Sequence, residues 1–478
     1  LKDIPFPEFE RINYIQDQII NDRGIGVDVD FVNKAEKLRI QNSEDNTQSL
    51  KDITNLVKPN SAAQLKTWLS DALLKDIKSL AKEEIPVILK LAEASAIEGD
   101  EDTLEAIKLK ISLSKTSLKK YTAILKCLCE DGRVRGLFQF YGANRTGRWA
   151  GRLVQLQNLT RNYLKNLDEA RAEVKAHNYD DLKMIYDPKD MPDVLSQLIR
   201  TSFTASEGKT FVISDFSAIE ARVIAWLADE TWRLDVFSTH GKIYEASASM
   251  MFNIPLSEIT PALRTKGKIA ELALGYQGSL GALKNMGGEK MGLSEDEMKS
   301  IVSKWRKANK NIVKLWEVMN SAATKAVMLK QKIVVSDYKN LEFNMVQGCL
   351  TIKLPSGRSL FYREAQVKPN RFNSVAVTYK GLEEGRWVTV DTYGGKLVEN
   401  IVQAIARDIL ANSICVLHEN GYEVVMHVHD EVIVEVPDND VDYHLDEVSR
   451  LMSLPISWAD NSIMEAEAFY SKYYKKED

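Results

Sequence analysis

The run Tyr422-Glu-Val-Val-Met-His-Val-His429-Asp430-Glu431-Val-Ile-Val-Glu-Val-Pro437 restricts this chain more than any other segment. Two β-rich stretches flank His-Asp-Glu, so the segment predicts a hairpin with its acids at a tight turn. A second run, Thr210-Phe-Val-Ile-Ser214, is apolar at its centre and ends in Asp215, after which Phe216-Ser-Ala-Ile-Glu220-Ala-Arg222 starts a helical pattern. Both acids are therefore expected at strand ends. Each also has a plain explanation by itself: Asp430 as an exposed turn residue, Asp215 as a helix N-cap. His427, His429 and Asp430 could instead ligate a metal as in an HD-type hydrolase, but the ligands of that family come from helices and this segment reads as strand.

Between the two acids lies Arg264-x3-Lys268-x7-Tyr276. Arg264, Lys268, Leu272 and Tyr276 recur every four positions, which on a 3.6-residue helix sweeps one slowly drifting face. A nucleoside triphosphate carries nearly four negative charges, and two metal-binding carboxylates add two more. Two divalent cations with Arg264 and Lys268 would balance that sum, whereas without them the like charges would repel in a partly dry site. An Arg and a Lys spaced at four are usually just solvated. It is their company with paired carboxylates that points to nucleotidyl transfer.

At 478 residues and 44% hydrophobic content, the chain is too long for one ordinary core and predicts two to four packed regions. The net charge of −5 carries no global basic signal, so any nucleic-acid surface must be local. Cys127, Cys129, Cys349 and Cys415 have no C-x-x-C or zinc spacing, and disulfides are not expected. Without a run of 18 apolar residues or a basic-then-apolar start, a soluble intracellular chain is expected. The start at Leu1 instead of Met predicts a fragment or a processed chain.

Residues 1–136 have helical periodicity and predict a mostly helical arm, in which Lys115, Lys119, Lys120 and Lys126 could follow a phosphate backbone or simply form a solvated face. From Gly136 to Leu159 the texture becomes loop-rich and donor-rich. A segment of mixed charge at 162–195 reads as a surface appendage. Residues 231–345 read as a helical block, 347–393 as hairpins around Ser356-Gly357 and Glu384-Gly385, and 397–420 as a helix ahead of the second acid.

Taken together, these segments resemble the family A, polymerase I-like, DNA polymerases, with phage and prophage texture in Gly136-Leu-Phe-Gln-Phe-Tyr-Gly-Ala-Asn-Arg-Thr-Gly-Arg148 and Thr392-Tyr-Gly-Gly-Lys-Leu397. Asp215-Phe-Ser-Ala-Ile-Glu220-Ala-Arg222 is similar to the first metal motif, Asp-Tyr-Ser-Gln-Ile-Glu-Leu-Arg, and His429-Asp430-Glu431 to the second. The Arg264 series followed by Gly278 resembles the nucleotide-binding fingers helix. Thr146-Gly-Arg148 with Gln155-x-Gln157-Asn158 resembles the minor-groove segment, and Gln403 falls where the family has another DNA-contacting Gln. The resemblance implies an α+β right-hand fold with an antiparallel β-sheet palm and mainly helical thumb and fingers. Residues 1–29 would lead in, 30–135 form the thumb, 136–230 the first part of the palm with an insert near 162–195, 231–345 the fingers, and 346–478 the rest of the palm. Leu272 stands where the family usually has Phe or Tyr, Tyr244 where it has a His, Gln277 where Gly commonly follows the Tyr, and residues 149–154 replace a Leu-Ser-Ser-Thr stretch. These departures predict altered selectivity with the chemistry retained.

What the resemblance implies about roles is specific. Asp215 and Asp430 would hold two Mg²⁺ ions, for which Mn²⁺ could substitute, with Glu431 close to the site. Lys268 would be a proton donor to pyrophosphate as well as a triphosphate ligand beside Arg264, Tyr244 and Leu272. Tyr276 would close over the templating site, and Glu220 would crowd the 2′ position and could accept a hydrogen bond from Tyr276. Arg148, Gln155, Gln157, Asn158, Gln403 and His429 would contact DNA, reading acceptors common to all correct pairs. Partners would be primer-template DNA and dNTPs, for a monomer in the cytoplasm of a bacterial host cell, off the membrane; processivity or replisome partners are left open. The family's proofreading domain precedes the polymerase region, whose start the segment Asn21-Asp-Arg-Gly-Ile-Gly-Val-Asp-Val-Asp30 resembles, so this chain is not expected to proofread. A single-subunit RNA polymerase would be expected to have a small residue in place of Glu220, and a silent DNA-binding relative to have lost a carboxylate.

Overall fold

The computed structural model describes residues 7–97, 99–369, 375–383, 385–459 and 464–476. Two compact units emerge: Leu1–Ile20 with Phe138–Ala150 and Val212–Phe469, and Asn21–Leu137 with Gly151–Phe211 and Tyr470–Asp478.

In the second unit the helix Val29–Thr54 is the spine. Asp28 caps it by accepting from the Phe31 amide, and Asn55 ends it in the left-handed conformation. Leu50, Leu65, Leu69, Ile88, Ala92, Ala106 and Ile107 fill a helical core, as the periodicity predicted. The 162–195 stretch is not an appendage. It forms the helices Leu167–Ala176, Tyr179–Ile185 and Met191–Leu198, which pack on the spine and bury Leu167, Ala170, Val174, Leu182, Val194, Leu195 and Leu198. Its mixed charges occupy the outer faces and hide apolar residues at helical spacing. Nor do the four lysines form one free row. Lys115 pairs with Asp193 and Lys120 donates to the Val154 carbonyl, while Lys119 and Lys126 are exposed.

The two larger sheets lie mostly in the first unit. One has four strands in the order Glu423–Val428, Glu431–Pro437, Lys209–Phe216, Ala466–Ser471. The other is a six-stranded antiparallel meander from Ile333–Val335 to Arg386–Thr392. The predicted helical block thus stops short of 345, because helix Lys310–Leu329 ends at Lys330 in the left-handed region and β-branched Ile333–Val335 follows. Of the predicted hairpin tips, Ser356-Gly357 lies between strands, and Glu384 is outside the described residues.

Helix Gly394–Glu419 is long and apolar enough, by length and composition, to cross a membrane, but 67% of its apolar window is buried inside the fold, as a core helix would be. Its two buried charges are paired: Arg407 with Glu10, and Asp408 with Arg358 at 2.6 Å. Such pairs contribute little net stability but are costly to break singly. Cys127, Cys129, Cys349 and Cys415 are all free thiols.

Candidate functional site

Phe211, Val212 and Ile213 are fully buried, which fixes the strand Lys209–Phe216 in the sheet and brings Asp215 out, part-exposed, one residue before its end. Asp215 does not cap the following helix. The residue before Ile219–Ala228 is Ala218, at φ 50°, a left-handed backbone uncommon for a residue with a β-carbon. A chain turned this sharply delivers Glu220 into the first helical turn, beside the strand end that carries Asp215.

The second acid arrives as the sequence predicts. Val428 pairs with Glu431 across an antiparallel hairpin, leaving His429 and Asp430 as a two-residue turn with His429 at φ 59°. The Phe216 amide donates to the Asp430 carbonyl at 3.3 Å, and the Ser217 amide donates to the Glu465 carbonyl at 3.0 Å. Asp215 and Asp430 therefore come from neighbouring strands with their backbones joined one residue away. His429 is exposed, Asp430 part-exposed and Glu431 1% exposed.

His427 belongs to a different environment. Its ring stacks on Phe138 at 4.4 Å between centroids and meets Trp149 edge-on at 4.8 Å. Burial first, and then the Arg407 charge, lower its pKa to about 3. A histidine enclosed by rings is no ligand for an HD-type centre, and no group of three His, Cys, Asp or Glu converges on one point among the described residues. A pair of carboxylates without such a cage suits a hard cation that completes its shell with water and substrate phosphates.

Pro261–Leu274 is the cation-bearing helix, started by Pro261 in its first turn and by Thr260, whose hydroxyl accepts from the Leu263 amide. Gly267, Ile269, Ala270 and Leu274 are buried, while Arg264, Lys268 and Leu272 lie on the exposed side. The expected series breaks at its last member. The helix ends at Leu274, and Tyr276 sits in the turn that follows, between Gly275 and Gly278. Its phenol donates to Glu220 at 2.8 Å, and Arg148 lies 3.2 Å from the other oxygen of the same carboxylate. Burial of the phenol, reinforced by the Glu220 charge, holds the Tyr276 pKa well above the usual tyrosine value, so it stays a donor at any physiological pH.

Tyr244 lies under two cations of that helix, Arg264 and Lys268. The Arg264 guanidinium is 5.5 Å and the Lys268 ammonium 5.8 Å from its ring centroid. Sequence reasoning missed Glu245, which accepts from Arg264 Nε at 2.8 Å. A signal for that neighbourhood was present in Gly267. A β-carbon there would come 2.1 Å from the Tyr244 carbonyl, so a glycine inside this helix marks where helix Ile243–Phe252 presses against it.

Gln403 is part-exposed on the otherwise mostly buried helix Gly394–Glu419. Gln155, Gln157 and Asn158 belong to the second unit: Gln155 is at φ 55° ahead of a 3₁₀ turn, and Asn158 donates to its side chain at 3.2 Å.

Three comparisons bear on this arrangement. The sequence profile of DNA polymerase family A matches residues 30–344. A DNA polymerase of Bacillus phage SP02 is 50% identical over 474 residues, which is 98% of this chain and 71% of that protein. DNA polymerase I of Pseudomonas aeruginosa is 22% identical over 261 residues, 53% of this chain and 24% of its own length. The thermostable DNA polymerase I of Thermus aquaticus is 35% identical over 82 residues, 17% of this chain and 10% of its own. Among solved structures, the POL domain of Pol1 from M. smegmatis in complex with DNA primer-template and dNTP aligns with a TM-score of 0.66 at 16% identity, over 97% of this chain and 70% of that one. Its likeness establishes the α+β fold of a family A polymerase domain.

Proposed function

The chain belongs to DNA polymerase family A, whose members carry out template-directed DNA synthesis, and we propose that it does so with Asp215 and Asp430 as its metal-holding carboxylates. Its substrates are then a primer-template duplex and dNTPs, and the reaction joins the primer 3′-hydroxyl to the α-phosphorus with release of pyrophosphate. The observation that carries this reading is the Phe216–Asp430 backbone bond, which supports a pair of carboxylates acting together. Family membership implies a divalent metal, and oxygen-only donors fit Mg²⁺, or Mn²⁺ in its stead. Two such ions, when bound, lower the pKa of the primer hydroxyl and stabilise charge on the transferring phosphoryl group. Glu431, buried beside the turn, would steady Asp430 more than bind a metal itself.

The remaining residues act on nucleotide and DNA. Arg264 and Lys268 meet the triphosphate, with Tyr244 as the floor beneath both, and Lys268 Nζ donates a proton to the departing pyrophosphate. Glu220, held by Tyr276 and Arg148, fills the space a 2′-hydroxyl would need. Leu272 faces the sugar from the open side of its helix. Arg148, Gln403 and His429 touch the duplex near the primer end, and Gln155, Gln157 and Asn158 contact its minor groove. In this reading residues 30–135 work as thumb, 136–230 and 346–478 as palm, and 231–345 as fingers.

Primer extension with Mg²⁺ tests the proposal, comparing dNTPs with NTPs and the unaltered chain with Asp215→Ala. Template-directed dNTP extension that disappears in the variant is the expected result. Failure of an intact, DNA-binding chain to extend would overturn it in favour of a silent binding role.

A further inference from the structure

Gln277, next to Tyr276, has a backbone φ of 64°, in the left-handed region that glycine enters freely and a residue with a β-carbon enters at a cost. A strained residue persists where its side chain returns something. Here the return is a hydrogen bond across the chain. The Gly395 amide donates to Gln277 Oε1 at 2.9 Å. Gly395 lies in the first turn of helix Gly394–Glu419, whose amides have no partner inside the helix, and Tyr393 ahead of it makes no capping bond through its side chain among the described residues. Gln277 thus does from a distance what an N-cap residue does locally.

The two segments are pressed together. A β-carbon on Gly395 would lie 2.4 Å from both the Tyr276 carbonyl oxygen and Gln277 Cβ, and one on Gly394 would lie 2.0 Å from the Trp316 carbonyl. The turn is gripped on either side as well, since Trp316 Nε1 donates to the Gly275 carbonyl and Arg306 Nη2 to the Gly278 carbonyl, each at 2.9 Å. Those bonds hold backbone flanking the pair. Among the described residues the Gln277 bond is the hydrogen bond that ties this turn to the core helix, and the phenol carried by the turn ends on Glu220.

We propose that Gln277 is a positioning residue for sugar selection: its bond to Gly395 fixes the backbone of Tyr276, and through Tyr276 it fixes the Glu220 carboxylate against the sugar. This rests on the assignment of Glu220 as the wall that excludes a 2′-hydroxyl. Two substitutions separate its role from mere folding. Gln277→Gly removes the bond while relieving the strained φ, so the variant keeps a backbone it can adopt. Gln277→Glu keeps an acceptor of the same length, and its negative charge suits a helix N-terminus.

The experiment measures kcat/KM for a dNTP and for the matching rNTP on one primer-template, in the unaltered chain, Gln277→Gly, Gln277→Glu, Glu220→Ala and the double variant Gln277→Gly/Glu220→Ala. Gln277→Gly is expected to lower the dNTP-to-rNTP ratio about tenfold, the equivalent of one well-placed hydrogen bond. Gln277→Glu is expected to return it to within about twofold of the starting value by the same reasoning. If the residue acts through Glu220, the double variant discriminates no worse than Glu220→Ala alone. An unchanged ratio in Gln277→Gly, or a Gln277→Glu as permissive as the glycine variant, overturns the proposal while leaving the sugar wall intact. If Glu220→Ala itself leaves the ratio unchanged, the wall assignment falls first and takes this inference with it.

Discussion

Replacing His427 by Phe should remove a specific part of the chain's sensitivity to acid. His427 is 2% exposed, enclosed by Phe138 and Trp149, and its Nε2 has no hydrogen-bond partner among the described residues. Its pKa drops from 6.5 to about 3, chiefly through burial and secondarily through Arg407. Between those two values the unfolded chain binds a proton that the folded chain refuses, so stability is full above pH 6.5 and is lost as pH falls toward 3. At pH 5 the loss amounts to about 2 kcal/mol relative to pH 7.5, from the ratio of protonated to neutral histidine in the open chain. That figure hardly depends on the folded value, which lies well below pH 5. The assay is native-state hydrogen exchange of the amides in strand Glu423–Val428 at both pH values, which reads opening of the element that carries the Asp430 turn. Any overfilling of the ring cage by Phe shifts stability at both pH values alike, whereas the pH-dependent part should vanish. Equal acid sensitivity in the two proteins, within about 0.5 kcal/mol, would refute a neutral buried imidazole.

Asp430→Ala is expected to lower primer extension by at least about a thousandfold, in line with loss of a principal electrostatic group, while DNA binding in a gel-shift assay stays within a few-fold. Normal extension by that variant would remove Asp430 from the metal site. Glu220→Ala should raise ribonucleotide use by about 100-fold, the scale on which a pocket rejects one added hydroxyl, as read from single-nucleotide insertion. Leu272→Tyr should ease dideoxynucleotide incorporation, because Leu272 is 52% exposed on the same side as Lys268 and a phenol there could replace the contact of the missing 3′-hydroxyl. No change in chain termination would mean that Leu272 does not face the sugar.

The placement of the candidate site's two acids could be read from the chain because local rules set it. Apolar runs long enough for a strand and too short for a helix put Asp215 near a strand end and Asp430 at a two-residue turn, with no need for distant information. The same local rules failed where a partner was far away. Tyr276 was expected to continue the helix of Arg264 and Lys268, but the bond to Glu220 and the close approach of Gly395 hold it in a turn outside that helix. Glu245 gave no sign of pairing with Arg264, since nothing in their spacing says that their two helices lie side by side. In residues 162–195 charge density concealed a buried face, a case in which composition outweighed period. His427 was legible as a histidine near the acids but not as a core residue, because the rings around it come from residues 138 and 149.

The cation helix carries two ion pairs of opposite character, and the contrast bears on how nucleotide could be received. Near its C-terminal end Glu271 pairs with Arg233, both almost wholly buried, and also accepts from Trp305 Nε1 at 2.9 Å. Removing one partner of such a pair costs about 3–5 kcal/mol, so this end of the helix is anchored. Near its N-terminal end Arg264 pairs with Glu245 while 47% of its side chain remains exposed. A pair so well solvated contributes no more than about 1 kcal/mol. If Arg264 receives the triphosphate as proposed, several negative charges would compete with the single carboxylate of Glu245 and could draw the guanidinium away at little cost. The anchored end has no comparable freedom. Arg264 is therefore free to change partners on a helix that stays where Glu271 holds it, and the resting pair with Glu245 keeps the guanidinium close to Tyr244 and Lys268 until an anion arrives.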